Sequence, residues 1–198
     1  YKSLIITLLL LPYCALAQMA QNQTLIHNLT ALIKQKDNYT QQKERKIKET
    51  IDLLRVPNAS AEQRYAINQR LFDEFKTYIS DSAVYYVKEN IRIAEELQKT
   101  DLQNDSRLSL ASLYIISGNY LDAADLLRAI DKEQLQEPQL IQYYNCYLNL
   151  YNNYAFNNPD AKTYIAKSDV YRDLLLNLVD KNSTHYILLY AGVLTDAG

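Results

Sequence analysis

The stretch LSLASLYIISGNYLDAADLLRAI, Leu108 to Ile130, constrains this chain more than any other. Leu110, Ala111 and Tyr114 recur at helical spacing on one side of Gly118, and Ala123, Leu127 and Ile130 do so on the other. The whole chain holds only 3 glycines in 198 residues, so a glycine between two helical patterns is a placed residue. A left-handed backbone at that point ends the first helix at little steric cost. Tyr120 can then pack back into the angle between the helices. The alanines at 111 and 123 carry nothing beyond Cβ, which lets the two helices cross closely.

The rest of the chain repeats this grammar. A pattern from Thr24 to Leu54 places Leu25, Leu29, Leu32, Ile33, Ile47, Ile51 and Leu54 three and four apart, with Lys36, Tyr39 and Lys43 in the centre of the seam. It predicts one long helix, dry at both ends and wet in the middle. Arg55 to Ala59 breaks it at Pro57, and Ser60 with Gln63 forms a capping box for a helix carrying Tyr65, Ile67, Leu71, Phe72 and Phe75. The turn ISDS leads to a partner from Asp81 to Leu97, with Ala83, Val87, Ile91 and Ala94 on one face. Thr100 and Gln103 read as a second capping box. A more divergent pair, 139–156 and 166–179, flanks a polar loop at Pro159. No segment alternates apolar and polar residues long enough for a strand. The expected fold is all-α: antiparallel helix pairs stacked as a solenoid over residues 60–198, preceded by a long helix over 18–56.

Residues 1–17 read as a secretory signal, with Lys2, the apolar run LIITLLLL and the small-residue site Ala15-Leu16-Ala17. The run falls well short of the roughly 18 apolar residues of a spanning helix. Cleavage is expected before Gln18, and the mature chain is expected to be exported. Cys14 would serve a lipoprotein signal, but bulky Tyr13 fits that cleavage poorly. A first residue of Tyr and an end within LTDAG read as a fragment.

Net charge is −2, so no nucleic-acid surface is advertised. The basic residues from Lys34 to Lys48 are interleaved with Asp37, Glu44 and Glu49, which reads as a solvated helix face rather than a phosphate strip. Beyond the signal only Cys146 remains, amid apolar and aromatic residues, where a thiol behaves as a small hydrophobe. His27 and His185 are isolated, and neither a zinc pattern, a phosphate loop nor a nucleophile elbow occurs. The reading is non-catalytic, with no metal and no cofactor. Six Asn-x-Ser/Thr triplets, at Asn22, Asn28, Asn38, Asn58, Asn104 and Asn182, are read as composition. Tyrosines 144, 147, 151 and 154 share a helix face, either as core or as the lining of an aromatic groove; the core reading is the stronger.

Leu110, Ala111, Tyr114, Gly118, Tyr120, Ala123, Leu127 and Ile130 resemble the tetratricopeptide repeat in order and spacing. Arg107 replaces the usual aromatic at the start, and the late proline is displaced to Pro138. Two weaker copies flank it. Ala83 and Val87 take signature places, but Asn90 stands where a small apolar residue is usual. Tyr190, Ala191, Leu194 and Gly198 answer Leu110, Ala111, Tyr114 and Gly118, so the chain stops inside a repeat.

A wider resemblance runs through LTALIKQKDNYTQQKERKIKETIDLL, RLFDEFKTYISDSAVYYVKENIRIAEEL and SGNYLDAADLL. Together with the signal, these segments resemble the periplasmic repeats of membrane-spanning transcriptional regulators of Bacteroides-type bacteria, the domain-of-unknown-function-6377 family. That resemblance implies a non-catalytic sensing domain on the periplasmic side of the inner membrane. It also implies a transmembrane helix and a DNA-reading segment beyond residue 198. A protein or peptide partner is expected, a glycan-related signal is an alternative, and no nucleic acid is expected through these residues. The other reading is a periplasmic or outer-membrane-associated scaffold with no DNA-binding part. By analogy with other tetratricopeptide proteins, the partner-facing surface should include Leu108, Ser112, Ile115 and Ile116.

Overall fold

The computed structural model describes the backbone of residues 2–77, 80–156 and 158–196, and side chains from residue 23 onward except 24, 78–80, 157 and 195–198. Eight α-helices follow one another among these residues, with no strand: α1 (Lys2–Leu54), α2 (Ala61–Phe75), α3 (Ser80–Glu96), α4 (Thr100–Ile116), α5 (Tyr120–Arg128), α6 (Glu137–Phe156), α7 (Ala161–Leu178) and α8 (Thr184–Asp196). A 3-10 turn, Lys132–Gln134, links α5 to α6. None of the described helices is long and apolar enough to cross a membrane. The side chains of the cleavage site at 15–17, and Gly198, lie outside the described residues.

The chain divides into two units, residues 1–49 and 50–198. The first holds α1 up to Glu49 and no other element. Its seam departs from expectation at the N-terminal end: Leu25, Leu29, Leu32 and Ile33 are 58–61% exposed, because no second helix exists within that unit to cover them. Tyr39 is exposed, as a wet centre requires, and Ile47 is buried.

In the second unit the helices stack in sequence. Helix α2 packs on α3, α3 on α4, α4 on both α5 and α6, α6 on α7, and α7 on α8. This is the all-α, tetratricopeptide-like arrangement. Ser60 caps α2 through a complete capping box: its Oγ accepts from Gln63 N–H at 3.2 Å while Gln63 Oε1 accepts from Ser60 N–H at 2.8 Å. The face of α3 keeps three of its four expected residues and adds Asn90 and Ile93 in place of Ile91. Ala83, Val87, Asn90, Ile93 and Ala94 are buried, whereas Ile91 is half-exposed. Helix α7 begins at Ala161, five residues before the expected start at 166, with Thr163 Oγ1 donating to Asp160 Oδ1 at 2.8 Å across its first turn.

Two turns share one geometry. At the end of α4, Gly118 has φ +81; its N–H donates to Ile115 O at 3.2 Å, and Asn119 N–H donates to Tyr114 O at 2.8 Å. These are the paired bonds that close a helix on a left-handed residue. At the end of α3, Gln98 has φ +54, with Gln98 N–H to Glu95 O at 3.0 Å and Lys99 N–H to Ala94 O at 3.1 Å. The expected capping box at Thr100 is therefore absent. Thr100 is already helical, and Lys99 holds the cap position without a side-chain bond.

The main core lies between α4, α5 and α6. Leu108, Ala111, Ile115, Ala123, Leu127, Ile130, Tyr143, Cys146, Tyr147 and Leu150 form one buried cluster, with Tyr114 and Tyr120 packed against it. Leu110 is also buried. The tyrosine face of α6 meets α7: Tyr147 stacks on Tyr171 at 4.7 Å and Tyr154 on Tyr164 at 5.2 Å. A second cluster, Leu148, Leu175, Val179 and Leu189, fixes α8 on α7. Tyr190 and Leu194 stay exposed, unlike Leu110 in the repeat they resemble.

Candidate interaction groove

The first helices of successive pairs, α2, α4 and α6, border a groove of about 460 Å³. Helix α2 and the turn after it supply Gln69, Phe72, Asp73, Lys76 and Thr77. Helix α4 supplies Ser109, Ser112, Leu113 and Ile116, and α6 contributes Gln142.

Helical periodicity decides which α4 residues reach it. Positions 109, 112, 113 and 116 follow the i, i+3, i+4, i+7 rule and form one stripe; 108, 111 and 115 form the neighbouring stripe that faces the core. Of the four residues expected on the partner surface, Ser112 and Ile116 line the groove, and Ile116 stands 83% exposed. Leu108 and Ile115 do not: they are buried in the main core, so no partner reaches them without unfolding. Sequence reasoning missed Ser109 and Leu113, which share the stripe of Ser112. It also missed Gln69, Phe72 and Gln142, which only the stacking of helix pairs brings alongside.

The groove carries little net charge. Lys76 Nζ lies 2.8 Å from Asp73 Oδ1 and 5.6 Å from the centre of the Phe72 ring, so its two ionised groups are partners of each other. What remains is neutral: amides of Gln69 and Gln142 and hydroxyls of Ser109 and Ser112, beside Phe72, Leu113 and Ile116. Ser112 is anchored, its Oγ donating to Leu108 O at 3.0 Å and lying 3.2 Å from Cys146 Sγ. Gln69 Oε1 accepts from Asn90 Nδ2 at 3.4 Å.

Groups with chemical potential elsewhere are quenched or scattered. Burial pushes the Cys146 thiol up to about 11, against a smaller opposing pull from the Ser112 hydrogen bond. A thiol held protonated at neutral pH is a poor nucleophile. His185 Nε2 lies 3.1 Å from Asn145 Oδ1, tying α8 to α6. No cluster of metal-ligating side chains occurs among the described residues. A second concavity, bordered by Lys88, Arg107, Tyr114, Asp122 and Asp125, mixes both charges on an open ledge.

Residues 33–198 match the family model of the SusR N-terminal TPR domain. The chain belongs to this family. The match takes in the C-terminal part of α1 as well as every later helix. No curated protein and no solved structure matches the chain. Tetratricopeptide domains are in general non-catalytic scaffolds for protein–protein contact, built from units that each touch mainly their neighbours. The groove along α2, α4 and α6 fits that general role.

Proposed function

We propose that this chain is the non-catalytic, extracytoplasmic interaction domain of a membrane-anchored transcriptional regulator, and that its groove holds a segment of a protein or peptide partner. The observation that carries the binding role is the groove itself. Phe72 and Leu113 line it as buried apolar side chains and Ile116 as an exposed one, together with neutral hydrogen-bonding groups that have no catalytic geometry. Isolated exposed apolar residues need no explanation, but a concavity lined by apolar side chains with convergent polar groups is the usual form of a binding site. The secretory signal read from residues 1–17 supports an extracytoplasmic location, and the family supports the regulator. In this reading the partner alters packing between neighbouring repeats, and the change passes along the stack.

The test is selection of displayed random peptides on the immobilised full chain. Enriched sequences should bind in the micromolar range, with affinity falling at least tenfold in Ile116→Glu and unchanged in Phe156→Glu, an exposed residue that does not line the groove. Failure to enrich any sequence, or binding indifferent to Ile116, would refute the groove as the binding surface.

A further inference from the structure

Residues 25–44 of α1 carry an apolar face that no other element of their unit covers. Leu25, Ile26, Leu29, Leu32 and Ile33 are each 58–63% exposed. Their spacing has a finer order than the helical period. Counted in sevens, Ile26, Ile33 and Thr40 fall at the a positions of a heptad, and Leu29, Lys36 and Lys43 at the d positions. All three a residues are β-branched and the first d residue is leucine, the combination that favours two parallel strands. Ile47 would be the next a residue, but it is buried, so the open seam ends before it.

The lysines decide what covers this face. Lys36 and Lys43 stand in the middle of it. A purely apolar cover, a lipid bilayer included, would strip their hydration and return no counter-charge. The residue after each lysine is acidic: Asp37 and Glu44 occupy the e positions of the same two heptads, and both are exposed. In a parallel pair, each d side chain enters a hole that the facing e residue helps to form. A second copy in register therefore sets Lys36 beside its own Asp37 and Lys43 beside its own Glu44, and two-fold symmetry repeats both contacts. The lysines of the two copies share layers, and these carboxylates offset their repulsion. Lys34, Arg45 and Lys48 fall at b and f, on the outside of such a pair, where they stay solvated.

We propose that residues 25–44 of α1 form a parallel, in-register, two-stranded coiled coil with a second copy of this chain, in which Lys36 and Lys43 meet Asp37 and Glu44 across the seam. The surface is separate from the groove, so neither reading depends on the other.

The experiment uses the full chain. In sedimentation velocity it should move from monomer to dimer as concentration rises. Ile26→Cys and Ile33→Cys, seven residues apart, should each give a disulfide-linked dimer under a mild oxidant. Asn38→Cys, at an outer f position, should not, and the unmodified chain controls for links through its own cysteines. Lys36→Glu with Lys43→Glu makes the seam uniformly acidic, and Asp37→Lys with Glu44→Lys makes it uniformly basic. Each double variant should self-associate at least tenfold more weakly. Mixing the two should restore dimers that contain one of each, which variants that had merely misfolded would not do. A wild type that stays monomeric at every soluble concentration overturns the proposal. So do cross-links that form as readily at Asn38, charge variants that pair as well as the wild type, or a mixture that does not recover. A monomer that instead floats with lipid vesicles makes the face a membrane contact, which also overturns it.

Discussion

The left-handed turns make opposite predictions at two positions. Gly118 and Gln98 close α4 and α3 with the same pair of hydrogen bonds, one on a glycine and the other on a residue with a Cβ. A Cβ added to Gly118 would meet nothing within 4 Å, so any cost of Gly118→Ala comes from the backbone and not from a clash. Holding an L-residue in this conformation costs about 1–2 kcal/mol, and the stiffer unfolded chain returns about 0.4–1 kcal/mol. The net loss is about 1 kcal/mol, and in a domain of this size each kcal/mol moves the melting temperature by roughly 2–4 °C. Gly118→Val should lose more, roughly 1–3 kcal/mol, since a β-branched residue is a genuine outlier at positive φ. Gln98→Gly should move the other way by up to about 1 kcal/mol, as it removes the strain and adds freedom to the unfolded chain. Urea titrations and differential scanning calorimetry on the full chain would measure all three. Hydrogen exchange should show Gly118→Val loosening residues 110–130 and also 143–154, because Ala111, Leu127 and Tyr147 share one core. A neutral Gly118→Ala together with a destabilising Gln98→Gly would refute the strain argument. Loosening confined to the turn would show that the helix pairs do not melt together.

The remaining predictions concern the core, the titrating groups and the N-terminus. Ala123→Leu should overpack the crossing of α4 and α5, where Ala111 and Ala123 are both fully buried, at a cost of about 1–3 kcal/mol in urea denaturation. Alkaline stability should fall in two overlapping windows. Burial, with neighbouring tyrosines adding to it, raises Tyr171 from 10.0 to about 12, and burial raises Cys146 from 9.0 to about 11. A raised acid favours the folded state fully below the unfolded value and loses that contribution as pH climbs to the folded one. The urea midpoint should therefore hold up to about pH 9 and drop between about 9 and 12, with tyrosinate absorbance rising late; a decline that begins near neutrality would count against it. The mature protein from its source should begin at Gln18 by mass spectrometry, and a retained 1–17 segment would overturn the exported reading.

Local pattern made much of this fold readable. The Ser60 cap, the helical faces around Gly118 and the small residues at 111 and 123 are encoded within a few positions of where they act. Capping and helical period depend on near neighbours in the chain, so they can be read there. The left-handed turn at Gln98 could not be read this way, because glutamine gives no local sign of positive φ; the packing of α3 against α4 imposes it. The apolar seam of α1 was visible as a period, but whether it is covered depends on a partner helix, which its own unit lacks. The groove shows the division most clearly. Analogy with other tetratricopeptide proteins grouped Leu108, Ser112, Ile115 and Ile116 on one surface, and only the packing of α4 against α5 and α6 separated the core stripe from the one that borders the groove. Gln69, Asn90, Ser112 and Gln142 lie on four helices and come together only when the pairs stack. Local sequence determines which stretches become helices, through interactions that reach three or four residues. Which face of each helix meets solvent is decided by neighbours dozens of residues away, and that is a property of the stack.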